Sequence, residues 1–199
     1  MQNFQKLYHR QYRMIIYIHG LDSNPNADKA LQLKKYFGDK DILTMSLEYD
    51  SSKLETAIDD LNGQLEAINT EHNLHGQFML VGTSLGGYFA SQLSNIWKCK
   101  KVLLNPCLFP SKMLSLGERT IYKTGQTYLL TKETVAAISA NENEILKDST
   151  YCFLQMGDAV LDNNLNKNIF KHTFIQEGGN HRFENFESIL PKIEDFYSL

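Results

Sequence analysis

The feature that most constrains this chain is a serine between two glycines, in the pentapeptide Gly82-Thr83-Ser84-Leu85-Gly86. An apolar run, Phe78-Met79-Leu80-Val81, precedes it, and an apolar helical pattern that begins at Tyr88 follows it. A serine on a sharp strand-to-helix turn has an exposed hydroxyl, and glycine fits the crowded positions two residues away. The sequence therefore predicts a nucleophile elbow at Ser84, and an ordinary glycine-rich turn is the alternative.

Apolar runs of strand length recur along the chain and alternate with helical patterns. They are largely continuous, which is typical of strands that are covered on both faces of a parallel sheet. The stretches 52–70 and 183–197 carry apolar residues at helical spacing, and Pro191 should kink the second helix or start its second half. This alternation predicts a doubly wound α/β sheet, mostly parallel and of about six strands. The predicted strands are Met14–Ile18, Ile42–Ser46, Gln77–Val81, Lys101–Leu104, Thr150–Met156 and Lys171–Gln176.

The length of 199 residues suits a single domain, residues 1–199, with one sizeable core, and no repeat or linker divides the chain. Residues 1–13 are polar and form an N-terminal extension. The segment 106–143 shows no clean strand pattern and separates two predicted strands. Its apolar residues favour a small lid over the active site, and an ordinary crossover helix with long loops is the alternative. In the lid interpretation, the candidates that would line an acyl pocket are Met113, Leu116 and Tyr122.

Composition restricts the classes of partner and the cellular location that we expect for this chain. The net charge is −3 and no basic stripe is present, so we expect no nucleic-acid partner. No apolar run approaches membrane-spanning length and no signal-peptide core is visible, which favours a cytoplasmic protein with no membrane partner. Three cysteines without C-x-x-C spacing argue against a disulfide framework or a zinc site. We expect no metal and no cofactor, and the sequence leaves the oligomeric state open.

The groups that would activate Ser84 should follow the later strands, because parallel sheets place active groups at the carboxyl ends of their strands. Asp158 comes directly after the fifth predicted strand, and His181 ends the glycine-rich turn 177–181 after the sixth. Asp162 is the alternative carboxylate, although it suits a helix cap. The order Ser84, Asp158, His181 is that of the catalytic triad in α/β-hydrolases, which predicts a three-layer α/β-hydrolase fold.

An oxyanion hole requires two N–H donors aimed at the developing charge. Leu85 follows the nucleophile directly and should supply one donor. Leu21 lies in the loop after the first strand and is expected to supply the other. His19 is the first residue of that loop, residues 19–23, and we expect its ring to hold the loop in place rather than to act as the base.

Several short motifs together resemble the small bacterial YqiA-type esterases of the α/β-hydrolase superfamily, over the chain from about residue 14 to the C-terminus. The resemblance implies hydrolysis of carboxylic esters with small acyl groups and without a cofactor. Two positions depart from the family pattern: Ala159 stands where the family often has Glu, and Lys123 interrupts a run that is usually Tyr-Thr-Gly. The matching stretches are Ile15–Gly20, Gly82–Tyr88, Asn105–Leu108, Thr124–Tyr128, Gln155–Asp158 and Glu177–His181.

The expected function is that of a serine hydrolase, a carboxylic ester hydrolase (esterase) that acts on small-molecule esters through an acyl-enzyme intermediate. Ser84 would be the nucleophile and His181 the general base, and Asp158 would fix the histidine tautomer. Leu85 and Leu21 would hold the oxyanion. A thioesterase or an acyltransferase is an alternative, because it shares the acyl-enzyme step. A non-catalytic binding protein of the same fold is a further alternative.

Overall fold

A six-stranded parallel sheet organises the structure, a computed structural model that describes residues 14–142 and 144–198. The N-terminal extension expected at residues 1–13 lies outside the described residues. Along the chain the elements are β1 (Met14–Ile18), α1 (Asp28–Gly38), β2 (Leu43–Leu47), α2 (Ala57–Glu71), β3 (Phe78–Thr83), α3 (Leu85–Trp97), β4 (Lys100–Leu104), α4 (Pro110–Met113), β5 (Gly117–Thr120), β6 (Thr127–Leu130), α5 (Lys132–Ile138), β7 (Thr150–Gln155), β8 (His172–Gln176) and α6 (Leu190–Ser198).

The sheet has the order β2-β1-β3-β4-β7-β8, and every neighbouring pair is parallel. Its strands lie within two residues of the bounds expected from the apolar runs. The predicted α/β class with about six parallel strands is therefore confirmed. Because all six strands are parallel, their carboxyl ends lie at one edge of the sheet. The strand order reverses between β1 and β3, and ligands bind in such sheets at the carboxyl edge beside that reversal.

The sheet is covered on both faces, which explains why β1 is apolar at every position and β3 at nearly every one. Ile16 and Ile18 of β1 pack in a core cluster with α2, α3 and α5, whereas Ile15 and Tyr17 pack in a second cluster with α1 and α6. All five residues of β1 are buried. Successive side chains of a strand point to opposite faces, so a strand between two helical layers is expected to be apolar at most positions.

The segment 106–143 differs from the expectation that it contains no strand. It contains the antiparallel hairpin β5–β6, in which Gly117 pairs with Leu130 and Thr120 with Thr127. The strand β5 reads Gly-Glu-Arg-Thr and is partly exposed, so it carries no apolar signal. The buried end of β6, Leu130, joins the core cluster that α2 and α3 form.

The helices also refine the expected bounds. The helix expected at 52–70 is a 3₁₀ turn, Leu54–Thr56, followed directly by α2. Pro191 lies in the first turn of α6, after a 3₁₀ turn at Phe186–Ile189, so proline starts a helical segment there, as its missing N–H permits. None of the helices within the described ranges is long and apolar enough to cross a membrane.

Candidate active site

Ser84 lies on the sharp turn between β3 and α3, with φ of 54° and ψ of −123°. A residue other than glycine in such a conformation costs on the order of 1–3 kcal/mol, which the surrounding structure must supply. The N–H of Ser84 donates to Leu104 at 3.0 Å, and its carbonyl accepts from the N–H groups of Gly87 and Cys107, each at 2.9 Å. These bonds hold the strained turn from both sides. The geometry is the strand–turn–helix arrangement that a nucleophile elbow requires.

The glycines around Ser84 are required by close packing of backbone against backbone. A Cβ atom added at Gly82 would overlap the carbonyl of Gly86, and one added at Gly86 would overlap the carbonyls of Ile18 and His19. The start of α3 is thereby brought onto the end of β1. A Cβ atom at Gly20 would lie 3.2 Å from the Cβ atom of Ser84, so the loop after β1 passes directly beside the serine.

His181 and Asp158 form a hydrogen-bonded pair. The Nδ1 atom of His181 lies 2.8 Å from Oδ2 of Asp158, whose side chain is fully buried. The other carboxylate oxygen, Oδ1, accepts from the N–H groups of Val160 at 2.8 Å and Leu161 at 2.9 Å. Burial by itself raises the pKa of Asp158, but the hydrogen bonds from His181 and from these N–H groups outweigh it and lower the pKa. The carboxylate therefore stays charged beside the imidazole.

The alternative carboxylate, Asp162, has the capping role. Its Oδ1 atom accepts from the N–H of Asn164 at 3.0 Å and from the side-chain amide of Asn164 at 2.9 Å. It precedes the 3₁₀ turn Asn163–Leu165 and is exposed to solvent. Of the two candidate acids, only Asp158 is hydrogen-bonded to His181 within the described ranges.

Ser84 and His181 line the same cavity, of about 570 Å³, at the carboxyl edge of the sheet. Leu21 also lines it, next to the serine. Leu85 is the first residue of α3, so its N–H has no acceptor one turn back in the helix and lies at the positive end of the helix dipole. The structure thus brings the predicted nucleophile, base and oxyanion donors to one place, with Asp158 behind the base.

Two of the three candidate acyl-pocket residues line this cavity. Met113 and Tyr122 do so, together with Leu114. Leu116 lies outside the lining and is 54% exposed. A separate cavity of about 600 Å³ lies between the β2–α2 region and the hairpin, and its lining contains none of the predicted catalytic or oxyanion residues.

His19 is packed into the core beneath the loop after β1. Its Nδ1 atom lies 2.8 Å from the carbonyl oxygen of Gly20, and its ring stacks on Tyr49 with centroids 4.5 Å apart. Burial lowers the pKa of His19, so the neutral ring is favoured there. This arrangement agrees with the expected structural role of the ring.

Sequence reasoning missed a buried carboxylate, Asp22, that joins the loop after β1 to the hairpin. Its Oδ2 atom accepts from Nε of Arg119 at 2.7 Å, and its Oδ1 atom accepts from the hydroxyl of Tyr128 at 2.7 Å. Its backbone N–H donates to Ser51 at 3.0 Å, and its carbonyl accepts from the N–H of Tyr122 at 3.0 Å. Only the position of Asp22 beside Leu21 could have drawn attention to it.

A metal centre and a thiol nucleophile are the two other kinds of site that the side chains of this protein bear on. Within residues 14–142 and 144–198, no group of three or more His, Cys, Asp or Glu side chains is placed to hold a metal ion. The cysteines, Cys99, Cys107 and Cys152, are buried, and burial raises the pKa of each thiol, that of Cys99 to about 12. Buried thiols of this kind are poor nucleophiles because the thiolate is the reactive form.

Comparison with known sequences gives a family match over most of the chain. Residues 14–198 match the family described as "Uncharacterised protein family (UPF0227)". The chain is 26% identical over 195 residues to a UPF0227 protein of Citrobacter koseri, which covers 94% of this chain and 99% of that protein. It is 25% identical over 195 residues to UPF0227 protein YcfP of Escherichia coli O9:H4 (strain HS), with the same coverage. The resemblance that the motifs indicate is thereby confirmed.

Comparison with solved structures concerns the fold. The structure of Est1E from Butyrivibrio proteoclasticus with ferulic acid bound aligns with a TM-score of 0.70 at 13% identity, covering 94% of this chain and 88% of that chain. Mouse alpha/beta hydrolase domain-containing protein 10 aligns with a TM-score of 0.66 at 16% identity, covering 92% of this chain and 88% of that chain. At these identities the likeness shows the fold alone. The predicted three-layer α/β-hydrolase fold is confirmed.

Proposed function

Because the chain belongs to the UPF0227 family and has the α/β-hydrolase fold, we propose that it is a serine hydrolase that cleaves small carboxylic esters through an acyl-enzyme intermediate. The observation that carries the proposal is the 2.8 Å contact between His181 and Asp158, at a cavity that His181 shares with Ser84 on its strained turn. Nucleophile, orienting carboxylate and base, here Ser84, Asp158 and His181, follow one another in the chain order of this superfamily.

The proposed mechanism assigns one proton to each step. The carboxylate of Asp158 accepts a hydrogen bond from the Nδ1–H group of His181. This tautomer leaves Nε2 unprotonated and able to take the proton of Ser84. The serine oxygen attacks the ester carbonyl, and His181 then gives the proton to the departing alkoxide, so an alcohol leaves and an acyl-serine remains. In the second half of the reaction, His181 takes a proton from water and the resulting hydroxide adds to the acyl group. His181 then returns the proton to Ser84 as the carboxylic acid leaves.

The oxyanion of each tetrahedral intermediate would be held by the N–H groups of Leu85 and Leu21. The first N–H lies at the positive end of α3, which favours negative charge. The second belongs to the loop that passes beside the serine at Gly20. Preorganised donors of this kind each contribute on the order of 3–4 kcal/mol to lowering the barrier.

The direct test combines a substrate series with covalent labelling. We expect purified enzyme to hydrolyse p-nitrophenyl esters in a series of acyl lengths, and a fluorophosphonate probe to label Ser84 as mapped by peptide mass spectrometry. Ser84→Ala and His181→Ala should each abolish turnover, by up to about a millionfold in kcat, and the double variant should be hardly worse. Ser115→Ala is the matched control, because Ser115 lines the same cavity and has no role in the proposed mechanism.

The same series separates the competing functions. Thioesters of equal acyl length belong in it, because a thioesterase forms the same acyl-enzyme and would prefer the better leaving group. Methyl ferulate belongs in it as well, because the fold relative Est1E has been solved with ferulic acid bound. If the fluorophosphonate probe labels a residue other than Ser84, or if Ser84→Ala retains wild-type turnover, the proposal is wrong. If neither turnover nor labelling occurs, a binding function on the same fold replaces it.

A further inference from the structure

We propose that Gln155 is a positioning residue for the reaction, because its side chain fixes the loop that carries His181 at hydrogen-bonding distance from Asp158. The inference rests on the proposed function and adds a residue that does not line the cavity. Gln155 is the last residue of β7 and is completely buried. The loop in question, called the histidine loop below, comprises residues 177–185 between β8 and the 3₁₀ turn before α6.

The amide of Gln155 uses its full hydrogen-bonding capacity on or beside the histidine loop. Its Oε1 atom accepts from the N–H groups of Asn180 at 3.0 Å and Glu184 at 2.8 Å. Its Nε2 atom donates to the carbonyl of Glu184 at 2.8 Å and to Oε1 of Gln176 at 3.1 Å. Because two backbone N–H groups face one atom of the amide, that atom must be the oxygen, and this settles the orientation of the group. The loop is therefore held on both sides of His181.

The residue directly before His181 is clamped at both of its backbone polar groups. The N–H of Asn180 donates to Gln155, and its carbonyl accepts from Nδ2 of Asn105 at 3.0 Å. Asn105 lies at the end of β4, is completely buried, and accepts the backbone N–H of Gln155 at 2.8 Å through Oδ1. The carbonyl of Gln155 also accepts the N–H of Asp158 at 3.2 Å. One residue thus contacts both the turn with the acid and the loop with the base.

The glycines of the histidine loop allow this contact rather than make the loop flexible. Gly179 has φ of +73°, and a Cβ atom there would overlap the side-chain amide of Gln155. A Cβ atom at Gly157, in the turn before Asp158, would overlap the backbone of Gly178 and Gly179. The N–H of Gly157 donates to Gly178 at 2.7 Å. The acid turn and the histidine loop are therefore packed backbone to backbone.

A fully satisfied buried amide specifies one geometry, since each displacement of the loop breaks a hydrogen bond in a site that water does not reach. An apolar side chain of the same length would fill the same space without that restriction. It would also leave the N–H groups of Asn180 and Glu184 without their acceptor. A misplacement of about 1 Å at a reacting group costs up to about 100-fold in rate, which is the scale of effect that we expect.

The test compares Gln155→Met with Gln92→Met. Gln92 is the matched control, because it is also a buried glutamine and does not line the cavity. Its Nε2 atom donates to the carbonyl of Asn141 at 3.1 Å. With a p-nitrophenyl ester, Gln155→Met should lower kcat about 10- to 100-fold while KM stays within about twofold, and the rate of fluorophosphonate labelling should fall by a similar factor. Gln92→Met should retain both rates.

A purely structural role is excluded by a double-variant experiment. On the His181→Ala background, Gln155→Met should lower the residual activity no further, because the group through which it acts is gone. Should Gln155→Met not fold, Gln155→Asn carries the same test. Its side chain is one methylene shorter and its amide cannot reach all four partners of Gln155, so kcat should fall at least about threefold on the wild-type background and not at all on the His181→Ala background.

Three outcomes would overturn the inference: unchanged kcat in a folded Gln155 variant, an equal loss in Gln92→Met, or a full further loss on the His181→Ala background. Failure of the proposed function has a different signature. In that case the wild-type enzyme itself shows neither ester turnover nor labelling at Ser84, whatever residue stands at position 155.

Discussion

Oδ2 of Asp22 accepts a hydrogen bond of 2.7 Å from Nε of Arg119, and this ion pair joins the loop after β1 to the hairpin β5–β6. The carboxylate is almost completely buried, and its other oxygen accepts from Tyr128 on the second strand of the hairpin. Arg119 and Tyr122 of the hairpin segment line the cavity that contains Ser84. The hairpin is therefore a wall of the candidate site that is fixed to the loop of the proposed oxyanion donor.

Removing the cation of this pair should destabilise the protein far more than removing an exposed one. Arg119→Met leaves the buried carboxylate of Asp22 without its charge partner, which should cost about 2–4 kcal/mol of unfolding free energy. Lys123→Met is the control, because the pair that Lys123 forms with Glu48 from the same hairpin segment is exposed on both sides and should be worth no more than about 1 kcal/mol. Urea unfolding at constant m-value measures both. Equal losses in the two variants would show that Asp22 does not fix the hairpin.

Asp158 rather than Asp162 should act on the base. Asp158→Asn should lower kcat by about 10⁴, because the amide favours the wrong tautomer of His181 while the geometry is retained. Asp162→Asn should leave kcat unchanged and lower stability by about 1 kcal/mol at most, since it alters only the cap of a 3₁₀ turn. Steady-state kinetics and thermal melts of the two variants decide the question, and the opposite pattern would reassign the acid.

Lys101 should give the stability of the protein a measurable pH dependence on the alkaline side. The side chain is buried in β4 with Nζ 2.8 Å from the carbonyl of Leu146, and burial lowers its pKa to about 8 from 10.5. Between these two values the unfolded chain binds more protons than the folded one, so stability contributed by this group rises with pH across the window. Below pH 8 Lys101 is protonated in both the folded and the unfolded state, so the cost of desolvating its ammonium group lowers the stability of the folded state by its full amount.

The variant Lys101→Met removes that titration. The difference in unfolding free energy between wild type and variant should change, in favour of the wild type, by up to about 3 kcal/mol as the pH rises from 8 to 10.5. Taking the difference removes the contribution of titrating groups that do not interact with Lys101, and Cys99, whose pKa Lys101 lowers, is replaced by Ala in both proteins. A difference that stays constant across this range would mean that Lys101 is not desolvated in the folded state.

The residues of the segment 106–143 that line the cavity should determine the acyl-chain preference. Met113→Ala and Tyr122→Ala should shift the preference toward longer acyl groups and leave acetate esters almost unchanged, with about 1–3 kcal/mol of discrimination for each methylene accommodated. Leu116→Ala is the control, because Leu116 belongs to the same segment and lies outside the cavity lining. The chain-length series of p-nitrophenyl esters reads the shift directly. A uniform loss over all lengths would place the specificity elsewhere.

The sheet and the serine turn could be predicted because local patterns specify them. A strand between two helical layers is buried on both faces and is therefore mostly apolar, which makes β1, β3 and the second half of β4 visible as runs. The turn at Ser84 requires glycine at Gly82 and Gly86 because backbone passes within contact distance there, and no other residue type fits. Such requirements concern only a few consecutive residues, so they can be recognised without knowledge of the rest of the chain.

The contacts around the candidate site depended on tertiary structure. Arg119 is 97 residues from Asp22 and Asn105 is 75 residues from Asn180, and no local pattern records that these side chains meet. The hairpin escaped prediction for the same reason, since its first strand is polar and is held by a distant carboxylate rather than by an apolar face.

The sequence by itself determined the α/β class, the strained serine turn and the chain order of serine, acid and histidine, because backbone sterics and burial act on neighbouring residues. Only the tertiary structure decided which aspartate meets His181, which residues form the cavity wall and what holds the histidine loop. Hydrogen bonds and ion pairs depend on the direction and distance of two groups, and those are set only when the packed layers bring remote segments together.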